Sequence, residues 1–481
     1  MAVSDYEVVI GLEVHVELAT ESKLFCSCGT KFGAEPNENV CPACAGLPGL
    51  PPVLNGRAVE LGIAAGLLTN SEITPVIGFE KKNYFYPDLP TGYQITQWFA
   101  PVCRNGYVEI ETSEGKREIR LKQIHIEEDA GKLVHDPVRR RSLIDLNRAG
   151  VPLIEIVSMP DFHTAEEVIA YLERLRSLLS FAGISDCRMQ EGSMRCDVNI
   201  SLRRHGDPEL GVRAEMKNLN SLRSISRVIA YETARHAEAL DSGSGELRQE
   251  TRRWDDSTGM SYGMRTKEDA TDYRYFPNPE LPQVEISDAW IAEIRDSLPE
   301  TASDMFRRLT TELHVSESDA QIITGSRNLA AIFNGAIANG APSASLGSWI
   351  AVELLGRVRG EDGGSEPVIE INCAHFAKLI EMVNSGKITR SIAKRLLGDL
   401  LEQDFDPELR VENEGLAAQS DEGELLKAVL AVMDANPDPV AQFRGGNEKV
   451  LGFLMGQVMR RTGGKADPAA TNRILTEELN K

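Results

Sequence analysis

The residues from Tyr6 to Leu18 alternate between apolar and polar side chains, which predicts a β-strand. The apolar positions are Leu12, Val14, Val16 and Leu18, and the polar positions between them are Glu13, His15 and Glu17. Because successive side chains of a strand point to opposite faces, one face is apolar and the other presents two carboxylates and an imidazole. Such a row of ligands suits a hard cation; an acidic face exposed to solvent is the alternative.

Three later stretches repeat this arrangement. Residues 124–127 alternate and run into Glu128 and Asp129, residues 153–157 hold Glu155 among apolar neighbours, and residues 196–201 alternate polar with apolar positions. A charged side chain that is buried without a partner is costly, so these strands are expected to lie side by side. We therefore predict a sheet with one packed face and one charged face, and we expect the chemistry on the charged face.

Helical patterns flank and follow these strands. Asn55 caps one predicted helix, Thr164 and Glu167 form the capping box of a second, and Asn218 or Asn220 starts a third. After about residue 288 helical periodicity replaces the alternation, and acidic, flexible connections are predicted at residues 361–365 and 412–423. Strands and helices together predict an α+β protein.

Composition narrows the class of protein. A chain of 481 residues is expected to contain about three domains, and no apolar stretch reaches the roughly 18 residues that a membrane span needs. The N-terminus has no basic segment leading into an apolar one, so we expect a soluble, cytoplasmic protein with no membrane partner. The net charge of -21 argues against bulk affinity for nucleic acid, although local basic patches could still bind RNA.

Four of the eight cysteines form two close pairs, Cys26 with Cys28 and Cys41 with Cys44, joined by a turn-rich segment. Two such pairs can converge on one tetrahedral ion, and in a long chain without a secretion signal this spacing favours zinc over disulfides. We predict a structural zinc knuckle near residues 26–44. Four unligated thiols are the alternative.

Other stretches combine aromatic and basic residues, or basic residues alone. The segments 81–94 and 273–277 and the run from Thr251 to Trp254 bring rings beside cations, which could hold a base or a phosphate or simply pack in the interior. Near the C-terminus five basic residues stand against the single acid Glu448, a contrast that favours an RNA contact over a solvated helix face. These basic residues are Arg444, Lys449, Arg460, Arg461 and Lys465.

Longer stretches of the chain resemble the B subunit of the tRNA-dependent amidotransferases, the GatB family. In the first part they are VIGLEVHVEL, KNYFYPDLPTGYQI, HIEEDAGK, DLNRAGVPLIEIVS, MRCDVNIS, KNLNS and DYRYFP, and in the last part GKITRSIAKRLL and EKVLGFLMGQVM. This similarity covers nearly the whole chain. So many ordered matches are more specific than any single short motif.

The resemblance implies an α+β cradle domain over residues 1–295, with a mainly antiparallel sheet like that of glutamine synthetase and the guanido kinases. It also implies an all-helical domain over residues 296–405 and a YqeY-like helical tail over residues 406–481. In this family the B subunit uses ATP to phosphorylate the side-chain carboxylate of Glu-tRNA(Gln) or Asp-tRNA(Asn), and ammonia then displaces the phosphate. It works in a heterotrimer with an amidase A subunit and a small C subunit; an aminoacyl-tRNA synthetase is a further candidate partner.

The resemblance also assigns the site residues and cofactors. The expected catalytic and magnesium-binding residues are Glu13, His15, Glu128 and Glu155, with Glu127 and Asp129 as neighbours. The residues expected to contact the nucleotide or the acyl phosphate are Arg195, Asn199 and Lys217. No Walker loop is present, so phosphate binding would depend on the sheet face, its cations and basic side chains. The expected cofactors are ATP, Mg²⁺ and structural Zn²⁺.

Two other functions fit parts of the sequence. A non-catalytic tRNA-binding scaffold would need the zinc knuckle and the basic tail, but it gives no role to carboxylates on at least four strands. A free-standing carboxylate-amine ligase would use those carboxylates but not the basic tail. Only the amidotransferase hypothesis explains both features.

Overall fold

The structure, a computed structural model, describes residues 5–136, 138–243, 247–266, 273–358, 369–419 and 421–481. It divides into two compact units, Met1–Thr301 and Ala302–Lys481. The strands lie in the first unit, and the described part of the second unit is helical. The fold is therefore mixed α+β, with a helical region after the sheet. The predicted boundary near residue 405 stays a prediction.

The strands, in chain order, are β1 (Tyr6–Glu17), β2 (Glu72–Ile73), β3 (Val76–Ile77), β4 (Glu80–Asn83), β5 (Tyr93–Thr96), β6 (Cys103–Arg104), β7 (Tyr107–Thr112), β8 (Gly115–Glu128), β9 (Lys132–Asp136), β10 (Arg141–Asp145), β11 (Pro152–Ser158), β12 (Met194–Arg204), β13 (Ala214–Lys217), β14 (Glu250–Asp255), β15 (Met260–Thr266), β16 (Phe276–Pro277) and β17 (Val284–Glu285).

The helices of the first unit are α1 (Gly56–Leu68), α2 (Ala165–Phe181), α3 (Leu222–Ser242) and α4 (Asp288–Ser297). Those of the second unit are α5 (Ala302–Thr311), α6 (Glu317–Thr324), α7 (Arg327–Ala338), α8 (Ser343–Ser348), α9 (Leu355–Val358), α10 (Cys373–Asn384), α11 (Arg390–Glu402), α12 (Pro407–Asn413), α13 (Glu422–Ala435), α14 (Pro437–Arg444), α15 (Val450–Arg461) and α16 (Pro468–Leu479), with a π-helical stretch at Trp349–Leu354. None of the described helices is both long enough and apolar enough to cross a membrane.

Within the described residues, ten strands form one sheet, with β1 at its centre. The order is β15, β14, β13, β12, β1, β11, β8, β6 and β2, and β7 also pairs with β8. The pairs are antiparallel in the described part of the sheet, except for β13 with β14. This topology places the polar residues of β1 between those of β11 and β12.

The apolar face of the sheet forms the core of the first unit. Leu12, Val14 and Val16 of β1 are almost fully buried, and they belong to one hydrophobic cluster with residues of α1, α2 and α3. Complete burial of a side chain of this size stabilises the fold by about 1.5–3 kcal/mol. Because the three helices cover this face, the polar row of β1 is left on the opposite face of the sheet.

Two of the three predicted helix starts are confirmed. The Asn55 side chain accepts a hydrogen bond from Arg57 N, and Thr164 and Glu167 form a complete capping box. The third prediction is wrong in its residue, because Ser221 is the N-cap of α3. Asn218 follows the end of β13 and has a φ of 67°. Its side-chain amide donates to Trp254 O, so it does not cap the helix.

A small second sheet, in the order β16, β4 and β5, contacts the end of β8. It contains parts of both aromatic segments noted in the sequence. Gln94 Nε2 donates to Glu128 O at 2.7 Å, and Asn83 Nδ2 donates to Arg274 O at 2.9 Å. These bonds hold the two segments together beside the end of β8.

The C-terminal helices α13 to α16 share a hydrophobic core. Its central members are Leu425, Val429, Leu454, Val458 and Leu475. The acidic connection predicted at 412–423 is shorter than expected, because α12 and α13 extend into both of its ends. The one predicted at 361–365 lies outside the described residues.

Candidate active site

Three neighbouring strands present histidine and glutamate side chains at one place on the sheet. His15 of β1 lies opposite Glu155 of β11, which in turn lies opposite His125 of β8. Directly paired residues project from the same face of a sheet, and Glu127 shares that face because it is two residues from His125. We call this surface the charged face.

His15, Glu127 and Glu155 form what we call the His-Glu cluster. One ligand atom from each residue lies within 4.8 Å of the others. His15 Nε2 is 3.3 Å from Glu155 Oε2 and 3.8 Å from Glu127 Oε1. Thr96 Oγ1 donates a hydrogen bond of 3.0 Å to Glu127 Oε2 and so orients this carboxylate from the small sheet.

Glu128, which the motif match assigns to the magnesium site, does not lie in this cluster. Its carboxylate accepts a hydrogen bond of 2.8 Å from Ile95 N, and it lines a separate cavity with Lys23 and Cys44. Burial raises the pKa of Glu128 to about 7. Because a step of one residue along a strand reverses the side-chain direction, Glu127 takes the position on the charged face that was expected of Glu128.

His125 is buried and contacts both carboxylates of the cluster. Its Nε2 atom is 3.1 Å from Glu155 Oε2 and 3.6 Å from Glu127 Oε2. Although burial opposes a charge on the imidazole, Glu155 raises the pKa of His125 to about 10. Burial also opposes a charge on Glu155, but His125 and His15 hold the pKa of Glu155 well below its ordinary value. Glu155 is therefore ionised at neutral pH.

A second group, the acidic cluster, consists of Glu13, Asp197 and Glu215. One ligand atom from each residue again lies within 4.8 Å of the others. Lys217 Nζ is 2.5 Å from Asp197 Oδ2 and 3.1 Å from Glu215 Oε1. Burial and the charge of Glu155 raise the pKa of Glu13 above its ordinary value. One lysine facing three acidic residues leaves an excess of negative charge that a cation would offset.

Arg195, Asn199 and Lys217, expected to contact the nucleotide or the acyl phosphate, all lie on the charged face. Arg195 Nη2 donates to Asp129 Oδ2 at 2.6 Å, and Asn199 Nδ2 donates to Glu13 Oε1 at 3.0 Å. The buried atoms Arg195 Nε and Asn199 Oδ1 have no hydrogen-bond partner among the described residues. Unpaired buried polar atoms are rare and are consistent with a ligand site; phosphate contact stays a prediction.

Both clusters fit divalent cations by the chemistry of their donors. Carboxylate oxygens are the usual protein ligands of Mg²⁺, and imidazole is a further ligand for several divalent metals. Glu127 and Glu215 are only 4% and 6% exposed, whereas Glu13 and His15 of β1 are half-buried, so the face is only partly open to solvent. Magnesium binding itself stays a prediction.

The four cysteines of the predicted zinc knuckle converge. Their sulfur atoms all lie within 4.8 Å of one another, and all four are free thiols. A hydrogen bond from Cys26, acting against the effect of burial, lowers the pKa of Cys44 to about 4. Four convergent sulfurs fit one tetrahedral zinc ion, and zinc binding stays a prediction.

Lys23 contacts the knuckle from the protein interior and is completely buried. Its ammonium group donates to Asn39 O at 2.8 Å and Leu146 O at 3.1 Å, and it lies 3.6 Å from Cys44 Sγ. A buried ammonium group needs such partners, because an isolated buried charge is costly. Lys23 therefore joins the knuckle to the segment that leads into β11.

The remaining basic and aromatic groups differ in their exposure. Trp254 is buried, and Arg252 pairs with Glu250 at 2.7 Å, so the run from Thr251 to Trp254 is mainly structural. In the tail, Arg444 ends α14, Lys449 precedes α15, Arg460 and Arg461 end α15, and Lys465 follows it. All of these are exposed except Lys465, which is half-buried. Their contact with RNA stays a prediction.

The assignment from sequence named Glu127 only as a neighbour of the site, and it did not include Asp197 and Glu215. The strand period could have identified Glu127, which shares its face with His125, whereas Glu128 has the parity of the apolar Ile126. Asp197 follows in the same way from its alternating strand. Glu215 offers no comparable signal, because only the pairing of β13 with β12 brings it near Asp197.

Comparison with protein families gives two matches that together span most of the chain. Residues 8–292 match the GatB/GatE catalytic domain. Residues 331–479 match the GatB domain. The first match contains both clusters of the charged face, and the second contains the basic residues of the tail.

Curated proteins of similar sequence cover the chain from end to end. One from Lachnoclostridium phytofermentans is 48% identical over 476 residues, which is 99% of this chain and 99% of that protein. One from Agathobacter rectalis is 49% identical over 475 residues, 99% of this chain and 100% of that protein. Both are named as the B subunit of an aspartyl/glutamyl-tRNA(Asn/Gln) amidotransferase.

Proposed function

Because this chain belongs to the family of aspartyl/glutamyl-tRNA(Asn/Gln) amidotransferase B subunits, we propose that its charged face is where a tRNA-bound carboxylate is activated and amidated. The protein functions in tRNA-dependent amidation, as part of a glutamine-dependent carbon-nitrogen ligase. The observation that supports this site best is the meeting of His15, Glu127 and Glu155 from three different strands. A scaffold without catalytic function would not need such a cluster.

The reaction explains why carboxylates and cations would be needed together. A substrate carboxylate that attacks the γ-phosphate of ATP must approach another anion, so the site has to offset negative charge. Magnesium held by the His-Glu cluster and the acidic cluster would supply this positive charge. Within the chain, His125 fixes the carboxylates of Glu127 and Glu155, which prepares the ligands before substrate arrives.

Lys217 and Arg195 complete the proposed phosphate site. Burial opposes the charge of each side chain, but the neighbouring carboxylates raise the pKa values of both groups. They therefore stay positive at neutral pH and border the charged face on β13 and β12. Phosphate oxygens that approach the two clusters would meet these cations instead of carboxylates alone.

The partners follow from the names of the relatives. Relatives named as a B subunit imply other subunits, which we propose are an amidase A subunit that releases ammonia from glutamine and a small C subunit. The mischarged tRNA would bind through the basic tail as well as at the charged face. The zinc knuckle would have a structural role, and the sheet would resemble that of glutamine synthetase and the guanido kinases.

The experiment that tests the proposed function is the Glu155→Gln substitution in the assembled complex. The charge stabilisation lost with one cation ligand is expected to lower tRNA- and ATP-dependent amidation by about 100-fold or more. Glutamine hydrolysis by the amidase partner should persist, because ammonia release is separate chemistry. The rates of [³²P]phosphate release and of amidated tRNA formation would be measured together.

Glu109→Gln is the matched control for this experiment. Glu109 lies on β7 of the same sheet, is exposed, and pairs with Lys116 at the surface. This variant should amidate tRNA at the rate of the unaltered complex. A Glu155→Gln complex that matched it would show that the charged face is not the active site.

A further inference from the structure

Four aromatic side chains form a continuous row beside the His-Glu cluster, which we call the aromatic wall. Trp98 and Tyr275 stack with their ring centres 4.4 Å apart and their planes 12° from parallel. Tyr275 contacts Tyr273 at 6.0 Å, and Tyr273 contacts Tyr84 at 6.1 Å. The wall therefore unites the aromatic segments 81–94 and 273–277, to which the activation chemistry assigns no role.

The position of the wall is fixed by its connection to the charged face. Thr96, whose hydroxyl donates to Glu127, lies two residues before Trp98 on the same chain segment. Tyr275 stacks on Trp98. Burial, and after it the charges of Glu127 and Glu155, raises the pKa of Tyr275. Through Thr96 and Trp98 the wall is therefore connected to the His-Glu cluster.

The wall has both open ring surface and an available positive charge. Trp98 is 43% exposed, and the neighbouring rings of Phe99 and Phe276 are also exposed. Lys82 Nζ lies 5.0 Å from the centre of the Tyr273 ring and 5.7 Å from that of Tyr84. Among the described residues no carboxylate lies within ion-pair distance of Lys82. Tyr84, Tyr273 and Tyr275 are half-buried, so Trp98 and its neighbours supply most of the open ring surface, and exposed rings beside a cation are typical of a binding surface.

We propose that the aromatic wall binds the single-stranded 3′ end of the tRNA, with bases stacked on its rings and a backbone phosphate at Lys82. This inference rests on the proposed function. The amino acid is esterified to the terminal ribose of the tRNA, so its carboxylate reaches the His-Glu cluster only if the last nucleotides cross the border of the charged face. Aromatic rings beside a cation are the usual means of holding an unpaired strand.

The length of the wall favours an RNA strand over the adenine of ATP. A nucleotide offers one base, which a single ring or pair of rings can hold. Here four rings follow one another in contact, and Phe99 and Phe276, the chain neighbours of Trp98 and Tyr275, are exposed as well. Successive rings match the successive bases of a strand.

The test compares two tRNAs and two variants of Tyr273 in the full complex. One tRNA is intact and uncharged, and the other lacks its last three nucleotides; both are bound without ATP or glutamine at fixed salt. The unaltered complex should bind the intact tRNA about 5- to 100-fold more tightly, which is the range expected when stacking on a ring is gained. Tyr273→Phe keeps the ring and should keep this ratio, whereas Tyr273→Leu should lower it toward one.

Two further measurements separate the alternatives. The Lys82→Gln complex should lose affinity for the intact tRNA only, and its log Kd should depend less steeply on log salt by about 0.7, as for one lost phosphate contact on a single strand. ATP affinity should be the same in Tyr273→Leu and Tyr273→Phe. If Tyr273→Leu lowers the thermal stability of the complex, Trp98→Leu, at an exposed ring, replaces it.

If Tyr273→Leu leaves the ratio of affinities for intact and truncated tRNA unchanged, the proposal is overturned. If that ratio is unchanged and ATP binding is weakened, the wall binds the nucleotide instead. Because these assays measure binding without chemistry, they are independent of the proposed function. A complex with normal amidation and an unchanged ratio would refute the wall alone. A complex with no amidation and the expected ratio would refute the assigned reaction alone.

Discussion

Lys23 shows how one buried residue can stabilise a metal site without being a ligand. Its ammonium group meets two backbone carbonyls and Cys44 Sγ in the interior. A cluster of four thiolates around one zinc ion has an excess of negative charge, which this ammonium group would offset. Such outer contacts commonly change metal affinity by about 10- to 100-fold.

We therefore expect Lys23→Met to weaken zinc binding by about 10-fold or more. The substitution removes the compensating charge and leaves the carbonyls of Asn39 and Leu146 without their donor. Zinc affinity would be measured by competition with a coloured chelator. Lys31→Met is the control, because Lys31 lies in the same segment but is exposed. Equal zinc affinity in the two variants would contradict this role.

Single residues also show what sequence can and cannot predict about the site. The alternation of β1 was sufficient to place Glu13 and His15 on one face, and the isolated carboxylate of Glu155 was sufficient to join them. The choice between Glu127 and Glu128 needed the exact phase of β8, because a motif match does not show to which face of the strand each side chain points. Glu215 needed the pairing of strands that are distant in sequence, which no local pattern specifies.

At the scale of elements, a buried network of ion pairs and hydrogen bonds connects α3 to the edge strands of the large sheet. Glu232 of α3 is completely buried and is 3.5 Å from Arg252 of β14. It also accepts hydrogen bonds from Arg235 and from Ser261 of β15. Burial would raise the pKa of Glu232, but His236, Arg235 and Ser261 lower it to about 2. The network therefore favours an ionised Glu232.

The pH dependence of stability follows from this depressed pKa. The contribution of Glu232 is present above its unfolded pKa of about 4.5 and is lost as pH falls from there toward 2, and it corresponds to about 3 kcal/mol. Urea unfolding of Glu232→Gln at pH 7 should show a loss of about this size and a flatter profile at low pH. Glu238→Gln, an exposed change on the same helix, should leave both unaltered. If Glu232→Gln lost stability in acid as steeply as the control, the acid-dependent loss would come from other groups and not from Glu232.

Elements with local signals were predicted more accurately than those without. The caps at Asn55 and Thr164 depend on side chains within three residues of the helix start, so sequence alone was enough. The start of α3 was misplaced because Asn218 resembles a cap, but its amide bonds to Trp254 O from β14. Competition from a distant acceptor cannot be seen in a local pattern.

At the scale of the whole molecule, the tail has its own core and an exposed basic end. Arg460 and Arg461 are exposed in the last turn of α15, so their side chains contribute little to packing. The helix dipole favours cations there by only about 0.3–1 kcal/mol. Their charges are therefore available for phosphate contacts, if the tail binds tRNA as proposed.

We expect the double change Arg460→Gln and Arg461→Gln to weaken tRNA binding several-fold without unfolding the tail. The slope of log affinity against log salt should become shallower by about 1–2, as expected for one or two lost phosphate contacts. Arg473→Gln is the control, because Arg473 is exposed on α16 and pairs with Glu422. Filter binding at several salt concentrations would measure all three proteins. Unchanged affinity in the double variant would exclude this end of α15 from RNA binding.

The α+β organisation, with strands before helices, was predictable because it depends on the change from alternation to helical periodicity along the chain. The strand order was not predictable. Antiparallel strands can be arranged in many spatial orders, and the alternation within each strand is the same in all of them. Only the carboxylates of different strands, which need common partners, limited the possible orders.

The central place of β1 has a consequence for how the protein is made. Its partners come much later in the chain, with Glu13 opposite Val157 and Tyr6 opposite Arg204. A ribosome that adds about 5–20 residues per second needs about 10–40 s to synthesise everything between the end of β1 and the end of β12. During that interval the apolar side of β1 has no sheet to join, so the nascent chain should recruit holding chaperones early and release them only after β12 has emerged.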